Sequence, residues 1–137
     1  MTVAPRLVAL SALVLMAGCH TAPATNPAQS DPDFKAVLGF FNAYSNRDLD
    51  EMMKFLDEGA LFQGPGTTLT RQQIRDFFQK TLQKYPNLKI ETGSPKRVQN
   101  TIQVSVKVET NSISINTWIF EMNSQKIHSY SVAPSIP

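Results

Sequence analysis

The 137-residue chain is 42% hydrophobic and 18% charged, with a formal net charge of +2 at pH 7. One domain is the natural count for that length, and it can bury a real but small core. The 13 lysines and arginines are scattered rather than clustered, so no footprint for a phosphate backbone is present and nucleic acid is excluded as a partner.

Chain order begins with a leader. Arg6 precedes an apolar run at residues 7–17, and small residues follow at the end of the run. A charged start, a short apolar stretch and a small-residue cleavage site make a secretory signal peptide. The run is well short of the roughly 20 apolar residues that cross a bilayer. Leu15-Met16-Ala17-Gly18-Cys19 resembles the lipobox of bacterial lipoproteins, with Met16 where that family usually has leucine. The resemblance implies cleavage after Gly18 and lipidation of Cys19, the sole cysteine. A single acyl chain binds membranes only marginally, whereas lipoproteins carry more than one. With Cys19 acylated, no free thiol remains for a disulfide, a nucleophile or a metal. His20 rather than aspartate follows, which implies the outer membrane, facing the periplasm, if the source is Gram-negative.

Residues 20–30 hold no large apolar side chain and should form a tether spanning on the order of 20 Å. The expected organisation is therefore a leader at 1–18, a lipidated tether at 19–30 and a folded domain at 31–137. Asp31-Pro32 opens that domain as a helix cap followed by proline at the first helical position. Phe34, Val37, Leu38, Phe41 and Tyr44 then recur at spacings of three and four, the apolar face of a helix. Ser45-Asn46-Arg47 breaks it. Asp48 with Glu51 resembles a capping box for a short helix that turns Leu49, Met52, Met53 and Leu56 inward and ends at Gly59. Residues 60–63 should be a short strand, and Gly64-Pro65-Gly66 a turn.

Thr70 with Gln73 forms a second capping box, opening a helix with Ile74, Phe77, Phe78, Leu82 and Tyr85 inward; Pro86 closes it. From Leu88 the period becomes two. A strand at residues 88–91 is expected to run on towards Val98. Ile102, Val104, Val106 and Val108 alternate with polar residues, giving one buried and one wet face. After a turn at Asn111-Ser112, the next strand sends Ile113, Ile115 and Ile119 one way and Trp118, Phe120 and Met122 the other. Apolar residues on both faces predict that both are covered, one by the core and the other by a partner subunit. Asn123-Ser124-Gln125 turns into a last strand from Lys126 to about Val132. The predicted class is α+β, three N-terminal helices packed on a curved, mostly antiparallel sheet.

This order of elements, with Asn46-Arg47-Asp48-Leu49-Asp50 between the first two helices, resembles the cone-shaped nuclear transport factor 2-like superfamily. Ketosteroid isomerase, scytalone dehydratase and the SnoaL-like polyketide cyclases belong to that superfamily. The resemblance implies a sheet curled around the first helix, a conical pocket open at one end, and an outer face that can dimerise. Isomerase chemistry needs a carboxylate base, plus a tyrosine and a protonated aspartic acid that donate to an oxyanion. Aligned on Asp48-Leu49-Asp50, those positions fall on Gly64, Phe40 and near Trp118, so the mechanism is rejected. The dehydratase's pair of histidines is also missing, because His128 is the only histidine in the domain. One histidine without cysteine makes no zinc site. Asp48, Asp50, Asp57 and Asp76 read as caps or solvated residues, and His128 as an ordinary strand residue.

Phe40, Tyr44, Phe62 and Trp118 lie on elements that line the superfamily's pocket. They either fill the cone or border a cavity suited to a small apolar molecule. The expected function is an envelope lipoprotein whose non-catalytic domain binds a small molecule or a protein, without cofactor or metal. Its expected partners are the membrane, through the lipid, a small hydrophobic ligand, and a second copy through the outer sheet face. The alternative is a SnoaL-like lyase, hydrolase or isomerase using His128, Tyr44 or Tyr130 on a hydrophobic substrate.

Overall fold

The computed structural model of the protein describes residues 31–134. The leader, Cys19, the tether and residues 135–137 lie outside the described residues.

Asp31 caps helix α1 (Pro32–Ser45), accepting a hydrogen bond from the Asp33 amide at 2.9 Å. Arg97 ties this helix start to the sheet, reaching Asp31 at 3.0 Å and Asp33 at 3.3 Å. Its guanidinium also lies over the Phe34 ring. At the other end Arg47 takes a positive φ of 61°, the left-handed conformation that commonly ends a helix. Asp48 then caps the short helix α2 (Leu49–Lys54) by accepting from the Glu51 amide. Only half of the expected capping box forms here, because the Glu51 carboxylate pairs with Lys54 instead.

The chain next enters strand β1 (Leu56–Gly64), followed by β2 (Thr67–Thr70). Gly59 therefore lies inside a strand, not at a helix end, and the strand expected at residues 60–63 is more than twice as long. Helix α3 (Arg71–Lys84) opens with the full Thr70–Gln73 capping box. Its last carbonyls are met by Arg47, whose Nη2 donates to Leu82 O at 2.7 Å and Tyr85 O at 3.1 Å. A cation at a helix C-terminus also suits the helix dipole. The remaining strands are β3 (Lys89–Thr92), β4 (Lys96–Val98), β5 (Thr101–Glu109), β6 (Ile113–Asn123) and β7 (Lys126–Pro134). The single run expected over residues 88–98 is thus two strands parted by Gly93-Ser94-Pro95. Because α3 follows β1 and β2, the three helices are not all N-terminal to the sheet.

The sheet order is β2-β1-β7-β6-β5-β3, with β4 also paired to β5. Every pairing is antiparallel except β1 with β7. The β6–β7 hairpin turns through Ser124 and Gln125, both at positive φ (51° and 66°), as a tight two-residue hairpin requires. Ile102, Phe120, Tyr130 and Phe62 form one row across β5, β6, β7 and β1. Val104, Trp118 and Val132 form a second. Phe40 of α1 packs on the first row and on α3, with ring centroids 6.3 Å from Phe120, 6.2 Å from Tyr130 and 5.8 Å from Phe78. Among the described residues, every member of the buried core lies between Phe34 and Tyr130.

Gly39 sits on α1 where a Cβ would come 2.6 Å from the Phe55 ring. Helix propensity alone favours alanine by about 1 kcal/mol, but overpacking typically costs about 1–3 kcal/mol. Gly39→Ala should therefore lower stability by roughly 1 kcal/mol in urea unfolding. A more stable variant would show that Phe55 swings aside freely.

Candidate functional site

Where α3 crosses the mouth of the sheet, seven side chains enclose a cavity of about 90 Å³. They are Phe62 of β1, Leu69 of β2, Phe77 and Phe78 of α3, Trp118 of β6, and Tyr130 and Val132 of β7. Alternation puts Trp118 on the inner face of β6 and Val132 opposite it on β7. Trp118 and Tyr130 lie with rings parallel within 2° and centroids 5.5 Å apart. Phe62 abuts Tyr130 at 5.1 Å. Gly64 makes room for this arrangement, since a Cβ there would stand 2.8 Å from the Phe62 ring. The position that the isomerase resemblance assigns to a base is thus crowded by an aromatic ring.

The four expected pocket residues separate into two pairs. Phe62 and Trp118 border the cavity, whereas Phe40, at 0% exposure, and Tyr44, at 4%, are packed in the core. Tyr44 spends its ring on Phe78, 4.8 Å away. The other five lining residues, Leu69, Phe77, Phe78, Tyr130 and Val132, are not among those the sequence singles out as lining. Phe77 was expected to be buried and is instead 53% exposed. Adjacent residues on a helix point about 100° apart, so of Phe77 and Phe78 only Phe78 reaches the core. Phe77 covers the cavity rim.

The polar inventory of the cavity is short. Tyr130 brings a hydroxyl whose pKa is raised, chiefly by burial and further by Tyr44. Burial likewise pushes Tyr44 up to about 12, against a small opposing effect of Arg47. Both phenols are therefore neutral at physiological pH. The Trp118 Nε1–H is closed to water-sized space, the cavity included, and has no hydrogen-bond partner. A buried donor left in that state costs about 1–3 kcal/mol. No carboxylate, imidazole or amine lines the cavity.

His128 lies elsewhere. It is the extra residue of a bulge between β6 and β7, not a regular strand position. Its Nδ1 stands 2.8 Å from Asp57 Oδ2. Asp57 itself belongs to β1, where the register with β7 jumps between Leu56 and Leu61. It is neither a helix cap nor fully solvated. Its side chain is only 16% exposed. The pair fastens the irregular start of β1 to β7 and borders no part of the cavity. A wider groove of about 330 Å³ between α1 and β3, lined by Leu38, Phe41, Asn42, Ser45, Ile90 and Thr92, also lacks titratable groups. Among the described residues, no three His, Cys, Asp or Glu side chains converge in a metal-holding group. No described helix is long and apolar enough to cross a membrane. On the outer sheet face Ile113 and Ile115 are 63% and 51% exposed.

A curved, mostly antiparallel sheet with helices packed on its inner face defines the nuclear transport factor 2-like kind of α+β fold. The SnoaL-like domain family matches residues 37–125, and the chain belongs to that family. Solved structures agree on the fold. An uncharacterised cystatin-fold protein from Novosphingobium aromaticivorans superposes with a TM-score of 0.66 at 10% identity, over 73% of this chain and 96% of its own. A proposed polyketide cyclase from Sinorhizobium meliloti gives 0.66 at 17% identity, over 78% of this chain and 99% of its own. A proposed ketosteroid isomerase from Kribbella flavida gives 0.65 at 15%, over 77% and 80%. At such identities the likeness extends to the fold alone. No protein of curated function matches the sequence.

Proposed function

We propose that the protein is an envelope lipoprotein whose SnoaL-like domain binds a small apolar molecule and performs no proton transfer in its cavity. One observation carries the binding half. The cavity wall is aromatic and aliphatic, and Tyr130 is the lining residue that carries a hydroxyl. A general base must stand within about 2.6–3.2 Å of the proton it removes, and no lining residue is a base. Of the residues the enzymatic alternative names, His128 is held by Asp57 outside the cavity lining, Tyr44 is packed in the core, and Tyr130 borders the cavity as a neutral phenol. Size restricts the ligand as well. Drug-sized molecules occupy pockets of about 300–1,000 Å³, so about 90 Å³ admits one ring or the end of a short chain.

Trp118 is the only tryptophan, which makes its fluorescence a direct report on the cavity. Titrating the domain from Asp31 with small alicyclic and aromatic compounds should change that emission saturably for at least one class. Silence across a broad panel would sink the binding reading. The anchoring half rests on the short apolar run at residues 7–17 and on Leu15-Met16-Ala17-Gly18-Cys19. Mass spectrometry of the membrane fraction should find a chain beginning at acylated Cys19. Cys19→Ser should keep its leader and lose the acyl mass; an unacylated wild-type chain would refute the anchor.

A further inference from the structure

Helix α3 buries Ile74, Phe78 and Leu82 and leaves another flank uncovered. Phe77, 53% exposed, shares the cavity rim there with half-buried Leu69. At 3.6 residues per turn, Lys80 and Lys84 follow on the same side of the helix, about 60° and 20° round the axis from Phe77. Both lysines are exposed, and among the described residues neither enters an ion pair. Lys84 lies over the Tyr85 ring instead. The other cations of the helix are engaged, Arg71 with Met53 O and Arg75 with Asp50. Its one acid, Asp76, lies about 100° round from Phe77 and accepts from Gln72. The outer sheet face also exposes apolar residues, Ile113 and Ile115. The lysine beside them is already paired, however, since Lys107 reaches both Glu91 and Glu109. Among the described residues, α3 is thus where a strongly exposed aromatic ring meets uncompensated ammonium groups.

We propose that this face of α3, Phe77 with Lys80 and Lys84, rests on an anionic lipid surface. The ring enters the acyl boundary while the two amines reach the headgroups, as in helices that lie in a membrane interface. This rests on the anchored reading above and adds which face meets the bilayer. With Cys19 acylated, residues 20–30 keep Asp31 within about 40 Å of the lipid. A face too weak to hold from solution then acts at a high local concentration. Each lysine at an anionic surface strengthens the contact about fivefold, and moving the exposed half of Phe77 from water into lipid adds about as much. A bilayer is favoured over a protein partner because the anchor already brings lipid to the domain. Phe77 covers the cavity rim, so this contact turns the cavity towards the layer in which apolar molecules dissolve.

The test begins with the unaltered chain. Protein taken from membranes with its lipid is incorporated into vesicles of phosphatidylcholine, alone or with about one-third phosphatidylglycerol. An uncharged, water-soluble acetylating reagent is added, and each lysine is followed by mass spectrometry. With phosphatidylglycerol present, Lys80 and Lys84 should react about fivefold more slowly than on phosphatidylcholine alone. Lys35 of α1 and Lys126 of β7, also exposed, should keep their rates. Molar salt should remove the difference. Phe77→Ala should return most of the lost reactivity at Lys80 and Lys84, with Trp118 emission showing that the variant is folded. Equal rates on both vesicles while the chain still floats with them, or slowing at Lys35 or Lys126 instead, would overturn the inference and leave the anchor intact. Slowing in native membranes but not on protein-free vesicles would assign the face to a protein partner and overturn it as well. A wild-type chain that floats with neither vesicle refutes the anchor, and the inference falls with it.

Discussion

Phe40→Ala should lower folding stability by about 3–5 kcal/mol, the usual result of deleting a buried phenyl ring. Phe40 is fully buried and is the ring on which three layers meet. It touches Phe41 on its own helix at 5.5 Å, Phe78 of α3 at 5.8 Å, and Phe120 and Tyr130 of the sheet at 6.3 and 6.2 Å. These edge-on and tilted contacts add to simple area burial. The void left by alanine has a poor route to collapse, because the sheet row beneath it is fixed by backbone pairing on both sides of β6 and β7. A small domain has a total stability of only about 5–15 kcal/mol, so the variant should unfold at far lower urea. A loss under about 1.5 kcal/mol would fall below the usual range for such a ring and mean that α1 does not close the core through Phe40. Such a result would also sever the link between core and cavity, since Phe78 and Tyr130 belong to both.

That double membership explains how far the site can be read from the sequence. Local rules place the helix starts, because Asp31-Pro32 and Thr70 with Gln73 carry their capping chemistry within four residues. The β5 alternation and the inward turn of Trp118 and Phe120 follow from period two. The start of β1 does not, because Asp57-Glu58-Gly59 are poor strand formers. They are held in the strand by distant partners. Ile127 donates to Phe55 O at 2.8 Å, and His128 reaches Asp57. Likewise nothing local tells that Phe40 and Tyr44 sink into the core while Phe62 and Trp118 are left beside a void. That choice depends on where α3 rests across the sheet. Arg47 helps fix its C-terminal end through Leu82 and Tyr85, more than thirty residues away. Arg71, at its start, reaches Met53 O at 2.7 Å. Sequence period identifies inward residues; long-range packing decides which of them meet empty space.

Alkaline pH should expose the same packing by a different route. Tyr44 and Tyr130 are two of the three tyrosines, and burial raises both above the ordinary phenol value of 10.0. In the folded state they stay protonated after the unfolded chain has begun to lose the same protons. Below pH 10 both states hold both protons and stability is unaffected. Above it the unfolded state gains from ionisation, so stability falls with rising pH until the folded phenols titrate as well, at about 12 for Tyr44. Each such group contributes about 1.4 kcal/mol per pH unit in that window. Together they should remove roughly 5 kcal/mol between pH 10 and 12, a large part of what holds a small domain folded. Urea midpoints followed through Trp118 emission should drop steeply across this range. Tyr130→Phe should remove about half of the slope, and the Tyr44→Phe, Tyr130→Phe pair nearly all of it. A wild-type slope no steeper than that of the double variant would mean that the two hydroxyls are wet, and with them the wall of the cavity.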